Sequence, residues 1–183
     1  MEIIKNLLDK GMSVHLTDTY GCTPLHVSSA YGSLEATKTF VERGSPLDKA
    51  DKNGATSLLW AARYGKIEIF RYLTEIGADI NIRDVYSNTA LHHAAFSGNV
   101  EIIKNLLDKG MFVDLTNEDD FTPLHVSAEY GTLEATKALV ERGAALNNAN
   151  KSGFTPLHLA AVKGKINVFD YLTEIGVDIC DVQ

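Results

Sequence analysis

Residues 22–32 read CTPLHVSSAYG, and the phrase Thr23-Pro24-Leu25-His26 returns, whole or altered, at 56, 89, 122 and 155, always 33 residues on. A fixed period of this length marks a chain that repeats one supersecondary unit, each unit too small to bury its own apolar face. The 14 glycines keep the same register: 21, 54 and 153; 32, 65, 98, 131 and 164; 11, 44, 77, 110, 143 and 176.

The residues within one period dictate its local structure. Thr23, Thr122 and Thr155 are suited to N-cap a helix, and Pro24, Pro123 and Pro156 follow at its first position, where a missing N–H costs nothing. Small residues such as Ala61, Ala62, Ala94, Ala95, Ala160 and Ala161 let a neighbouring helix approach closely. A second, amphipathic segment follows, for example VEIIKNLLDKG over 100–110, with Ile102, Ile103, Leu106 and Leu107 on one stripe and a glycine just past the helix end. Each period therefore predicts a turn, a short helix, a tight connection, a longer helix and a glycine stop.

With the 33-residue period, the phrases TPLHVSSAYG, TPLHVSAEYG and TPLHLAAVKG and endings such as LTEIGADIN, the whole chain resembles the ankyrin repeat family. The resemblance implies an all-α solenoid of stacked antiparallel helix pairs joined by outward-pointing β-hairpin loops, about five and a half repeats here. It is read as one domain: a partial repeat at 1–17, then 18–50, 51–83, 84–116, 117–149 and 150–183. Two rows depart from the pattern, TSLLWAA with Ser57 and Leu59, and TALHHAA with Ala90, which weakens the helix start expected there. The first row lacks its first helix and the last ends without an evident polar cap, so part of a longer array is expected.

A second period lies inside the first. Residues 1–84 and those 99 later share 51 identities in 84, so three repeats were duplicated together. Solvent-facing positions of the second helices match in 12 of 15 pairs, whereas positions resembling the family's contact sites match in only 4 of 13, which reads as a diverged binding face.

Composition excludes several classes of function. The chain is 45% hydrophobic and 22% charged, in the globular range, with no run near ~18 apolar residues and no secretory signal at its N-terminus. No membrane insertion and a cytoplasmic or nuclear location are expected. A net charge of −7 offers no basic footprint for nucleic acid. Cys22 and Cys180 are expected to be free thiols. His26, His92, His125 and His158 share one row position, and stacked helices ~8–10 Å apart keep neighbouring imidazoles from sharing a metal, so each is read as bonded to the Thr three residues earlier. The pair His92 and His93 adds little, and Trp60 is read as core. No phosphate loop, carboxylate pair or activated nucleophile stands at a workable spacing; no catalysis, cofactor or metal is expected.

What remains is a surface. Eight of fifteen aromatics, Tyr20, Tyr31, Tyr64, Tyr86, Phe96, Phe121, Tyr130 and Phe154, fall at loop-tip or first-helix contact positions. Tyr and Phe suit protein interfaces, although sideways packing between neighbouring loops is the alternative, more so for Phe121 and Phe154. Charge on this face is segregated, Lys52, Arg63 and Arg83 against Glu118, Asp119, Asp120 and Glu129, and Lys163 stands where the earlier copy has Tyr64. The reading is a monomeric, non-catalytic module that binds a protein or peptide through its concave face and loop tips. Two rivals stand beside it: the targeting or autoinhibitory arm of a larger enzyme, channel or toxin, and a hydroxylase substrate. The second rests on LTEIGADIN, which resembles the motif of an asparaginyl hydroxylase and would place modification at Asn81, with Asn147 equivalent.

Overall fold

A computed structural model of the protein describes residues 2–176. It opens on a single helix, α1 (Glu2–Asp9), followed by five pairs: α2 (Pro24–Tyr31) with α3 (Leu34–Glu42), α4 (Ser57–Arg63) with α5 (Ile67–Glu75), α6 (Ala90–Ser97) with α7 (Val100–Asp108), α8 (Pro123–Glu129) with α9 (Leu133–Glu141), and α10 (Pro156–Val162) with α11 (Ile166–Glu174). Two or three residues join the members of a pair, a length that folds the second helix back along the first. First helices pack on first helices along the series α2, α4, α6, α8, α10, and second helices on second. Ala61, Ala62, Ala94 and Ala95 are fully buried in the first-helix stack. Leu58, Leu91 and Leu124 meet Phe70, Ile102, Ile103, Leu106 and Leu139 in one continuous apolar core, with smaller clusters at either end.

The recurring Thr and His do more than start helices. Thr23, Thr89, Thr122 and Thr155 each place Oγ1 2.8 Å from Nδ1 of the His three residues on, and their own backbone N–H donates to the same nitrogen at 3.1–3.2 Å. A ring nitrogen that accepts an N–H carries no proton, so the hydrogen is assigned to Nε2. From there His26 donates to the Ala55 carbonyl at 3.1 Å, His92 to Phe121 at 2.9 Å and His125 to Phe154 at 3.1 Å. Each imidazole thus ties a helix start to the next loop along. The altered rows still begin their helices in register: Thr56 caps α4 by accepting from the Leu59 N–H at 3.4 Å, and α6 starts at Ala90 without proline.

Between pairs the chain makes tight turns, each closed by a backbone bond such as Asp18 N–H to the Cys22 carbonyl and Asp84 N–H to the Asn88 carbonyl, and no strand occurs among the described residues. One carboxylate or amide oxygen closes each turn: Oδ1 of Asp18, Asp51, Asp84, Asn117 and Asn150 accepts the N–H groups two and four residues ahead. Neighbouring tips are linked by a backbone bond, Lys52 N–H to Tyr20, Val85 to Asn53, Glu118 to Tyr86 and Lys151 to Asp119, too few for a ladder. Cys22 is a free, buried thiol, its Sγ 3.9 Å from the Asp51 carboxylate; burial first and then the nearby Asp18 and Asp51 charges push its pKa up to about 11. Cys180 lies outside the described residues.

Gly110, just past α7, has φ +88, and a Cβ added to it would have no atom within 4 Å, so a side chain there meets backbone strain rather than a clash. Gly110→Val should cost roughly 1–3 kcal/mol in urea unfolding while the exposed Lys109→Ala costs little; equal midpoints would contradict the helix stop. The buried histidines make stability depend on pH. Burial lowers the pKa of His26, His92 and His125, that of His92 to about 4, against a weaker opposing pull from the carbonyls they donate to; His93 and Arg83 lower His92 further and Asp84 raises it. Because the unfolded chain binds protons near pH 6.5 and the folded one does not, stability is full above that pH and falls as pH drops toward about 4. Unfolding at pH 7.5 and pH 5 should show the loss, at up to roughly 1.4 kcal/mol per pH unit for each such histidine, and His92→Gln should shrink the difference.

Candidate functional site

Because the first helices stack in register, the residues at their C-terminal ends come into line. Tyr31 ends α2, and Tyr64 follows α4 at the equivalent place; their hydroxyls are 2.6 Å apart and their rings 4.7 Å, centroid to centroid. Trp60 stacks on Tyr64 at 5.9 Å and meets the edge of Tyr31 at 6.4 Å. The Arg63 guanidinium lies 4.2 Å over the Phe96 ring, Phe96 lies 5.3 Å from Tyr130, and the Lys163 ammonium stands 5.2 Å over Tyr130. The result is a rail of aromatic and cationic side chains running across five helix pairs. Tyr31, Arg63, Tyr64, Tyr130 and Lys163 are exposed and Phe96 is half-buried between its two neighbours. Side chains held by one another in this way lose less freedom when something binds them.

Electrostatics within the rail is set locally. Lys163 Nζ sits 3.0 Å from Glu129 Oε1, and that bond, followed by the Glu129 charge, raises the lysine's pKa. Tyr130 is raised chiefly by its hydrogen bond with Glu129, and Tyr64 by its bond with Tyr31. Both phenols stay neutral and able to donate near neutral pH. At the loop tips Tyr20, Lys52, Tyr86, Glu118 and Asp119 are all exposed, Tyr20 at 68% of its surface. Gly21, Gly54 and Gly153 adopt positive φ in three of the tips, but Ser87 and Asp120 do so in the other two, at +63° and +60°. Such residues cost of order 1 kcal/mol or more relative to glycine and are commonest where a surface is used.

Several residues sit differently from what the sequence suggests. Glu129 is 9% exposed and turned onto Lys163, so it is not part of a solvated acidic patch. Arg83 donates from Nη1 to the Ser87 carbonyl at 3.0 Å and the Thr116 carbonyl at 2.8 Å, which makes it a brace between loops. Charge segregation therefore rests on Lys52 and Arg63 against Glu118, Asp119 and Asp120. Phe121 packs on the core and lies 5.6 Å from His125; Phe154 stands 6.1 Å from His158. Asn81 is exposed, its Nδ2 donating to Asp79 at 3.2 Å, and Asn147 is exposed.

Two pairs escape sequence reasoning. Trp60 packs half-buried against the core, as read, and its Nε1 also donates to Asp51 Oδ2 at 3.0 Å. His93 Nε2 lies 3.1 Å from Asp84 Oδ2, one period later. Burial pushes the Asp84 carboxyl up, but hydrogen bonds from His93 and Asn88 outweigh it and hold it below the usual range. Both pairs line a cleft of about 260 Å³ beside Arg63, Tyr64 and Tyr86. The signal for them is an aspartate with a ring donor nine residues on, 51 with 60 and 84 with 93. Among the described residues no three His, Cys, Asp or Glu side chains converge as metal ligands, and no helix is long and apolar enough to cross a membrane.

No curated protein matches the chain. A family model described as ankyrin repeats (3 copies) matches residues 1–84 and 91–183. Together with the stacked helix pairs and the Thr–His links at their starts, that match over nearly the whole length places the chain in the ankyrin repeat family.

Proposed function

We propose that the protein is a non-catalytic binding module that holds a protein or peptide partner along the rail from Tyr31 to Lys163 and the adjoining loop tips. Ankyrin repeats are in general protein-interaction modules. The observation that carries the proposal for this surface is the row of exposed or half-buried aromatics, with Tyr31 held by Tyr64, Phe96 by Arg63 and Tyr130, and Tyr130 by Lys163. Aromatic and arginine side chains dominate binding energy where interfaces have been dissected, and a pre-ordered set starts with part of the entropic cost already met. The two copies of the three-repeat unit agree on most of their second-helix surfaces, whereas on the rail Tyr31 and Tyr130 match and Tyr64 is replaced by Lys163. Lys52 and Arg63 at one part of the face and Glu118, Asp119 and Asp120 at another would orient a partner of opposite pattern.

Tyr64→Ala combined with Phe96→Ala should weaken partner capture from a cell lysate by at least ~100-fold, at ~2 kcal/mol or more per aromatic anchor. The thermal midpoint should fall by only a few degrees, since Tyr64 is exposed and Phe96, though it packs against the core, is half-buried rather than enclosed. Lys5→Ala with Lys104→Ala, on the second-helix side, should leave capture unchanged. Loss in the lysine pair with retention in the aromatic pair would move the binding site to the opposite face.

A further inference from the structure

Two clefts meet at Arg63. The one of about 260 Å³ has Trp60, Tyr64 and Tyr86 on its walls; the other, of about 370 Å³, has Phe96, Asp119 and Tyr130, and Arg63, Asn88 and His93 border both. The first is smaller than the roughly 300 Å³ or more of an ordinary small-ligand pocket and has room for about one side chain. Two such clefts end to end form a trough suited to an extended peptide.

What the trough offers depends on which polar groups are already occupied. Asp84 accepts four N–H groups, from the Tyr86 and Asn88 backbone on Oδ1 at 3.0 and 2.8 Å and from the Asn88 amide and His93 on Oδ2, both at 3.1 Å. Asp51 accepts from the Asn53 and Ala55 N–H groups on Oδ1 and from Trp60 on Oδ2. Asn88 Oδ1 is taken in turn by Asn117 Nδ2 at 2.9 Å. With these acceptors engaged, the groups left over are donors.

The chief one is Arg63. Arg43, Arg71 and Arg142 are in ion pairs with Asp9, Glu101 and Asp108, and Arg83 donates to two carbonyls. Arg63 is the one arginine of the described residues whose guanidinium has neither a hydrogen bond nor an ion pair. It lies 4.2 Å over the Phe96 ring, which fixes its plane and leaves its N–H edge open. Beside it, the Tyr31–Tyr64 hydroxyl bond uses one phenol hydrogen and leaves the other to donate. A held guanidinium edge with a phenol donor alongside is complementary to a carboxylate, which accepts two parallel N–H bonds.

We propose that the trough receives an acidic side chain, glutamate or aspartate, of an extended peptide segment. Its carboxylate pairs with Arg63 and its methylene groups lie against Trp60 and Tyr64. Asp119, in the second cleft, disfavours another acid there and so fixes the register. This names the partner chemistry of the binding face proposed above and rests on that reading.

The probe is an array of immobilised eight-residue peptides, random except for a central Glu, Gln, Lys or phosphoserine, incubated with the whole chain. Retention on the Glu set should exceed that on the Gln set at least ~10-fold, and Arg63→Gln should level the two. Arg63→Glu should move the preference to the Lys set, a gain that misfolding cannot mimic. Arg71→Gln, on α5, should leave the Glu preference unchanged. Retention that ignores the central residue yet is lost with Tyr64→Ala and Phe96→Ala would overturn the acidic anchor and leave the binding face standing. Stronger retention of the phosphoserine set than of the Glu set would overturn it as well, a phosphate then being the occupant. Retention of no set would also overturn it, and with it the binding face only if capture from lysate failed too.

Discussion

The structure depends on a buried, neutral imidazole held at both nitrogens. In His26, His92 and His125 one nitrogen receives the helix start and the other donates to a carbonyl 29 residues on, so the same ring caps its own helix and positions the next loop. A bond of about 3 Å leaves little room for slippage between pairs. Where the ring is missing the junction is held by other means. Leu59 has no ring nitrogen to offer the loop ahead of α6, and across that junction Ser97 Oγ donates to the Ala62 carbonyl at 2.9 Å and Asn99 Nδ2 to the Gly65 carbonyl at 3.0 Å.

The rail is a consequence of this spacing. Alanines at the centre of the first helices let the pairs close up, and close pairs bring residues one period apart within reach of each other, as in Tyr31 with Tyr64 and Arg63 with Phe96. The second helices meet through longer side chains and ion pairs such as Arg71 with Glu101 at 3.0 Å and Arg142 with Asp108 at 2.8 Å, both exposed and worth little. The core lies between the two stacks, where Phe70, Ile102, Ile103 and Leu106 of the second helices meet Leu58, Leu91 and Leu124 of the first, and exposed residues at the ends of the first helices, such as Tyr31 and Tyr64, stand outside it. Substitution there changes what the surface touches.

Helix positions, glycine stops and the Thr–His pairs are legible in the sequence because each is decided within a few residues: Thr23 and His26 are three apart, and Gly110 stands just past the end of α7. The loops are less legible. The family resemblance implies β-hairpins; each tip is closed both by one aspartate or asparagine oxygen and by a backbone bond four residues across, and neither partner shows in the repeat pattern. The fates of charged side chains are not legible at all. Glu129 meets Lys163 and Arg83 meets Thr116, partners about one period away, and a row position tells which residues are neighbours without telling which rotamer they share. The sequence neighbours of Trp60 suggest a core position, and it does pack against the core, but the bond from its Nε1 to Asp51 at the edge of the cleft is not legible from them.

The central claim is that the side chains lined up on the first helices form the binding face. Oxidative footprinting of the chain alone and in complex with a captured partner would test it residue by residue, since Tyr31, Tyr64, Phe96 and Tyr130 react in proportion to their accessibility. The account predicts strong protection at these four with none at Tyr72 and Tyr171, which lie on the second helices. Protection of Tyr72 and Tyr171 with the rail left reactive would contradict it.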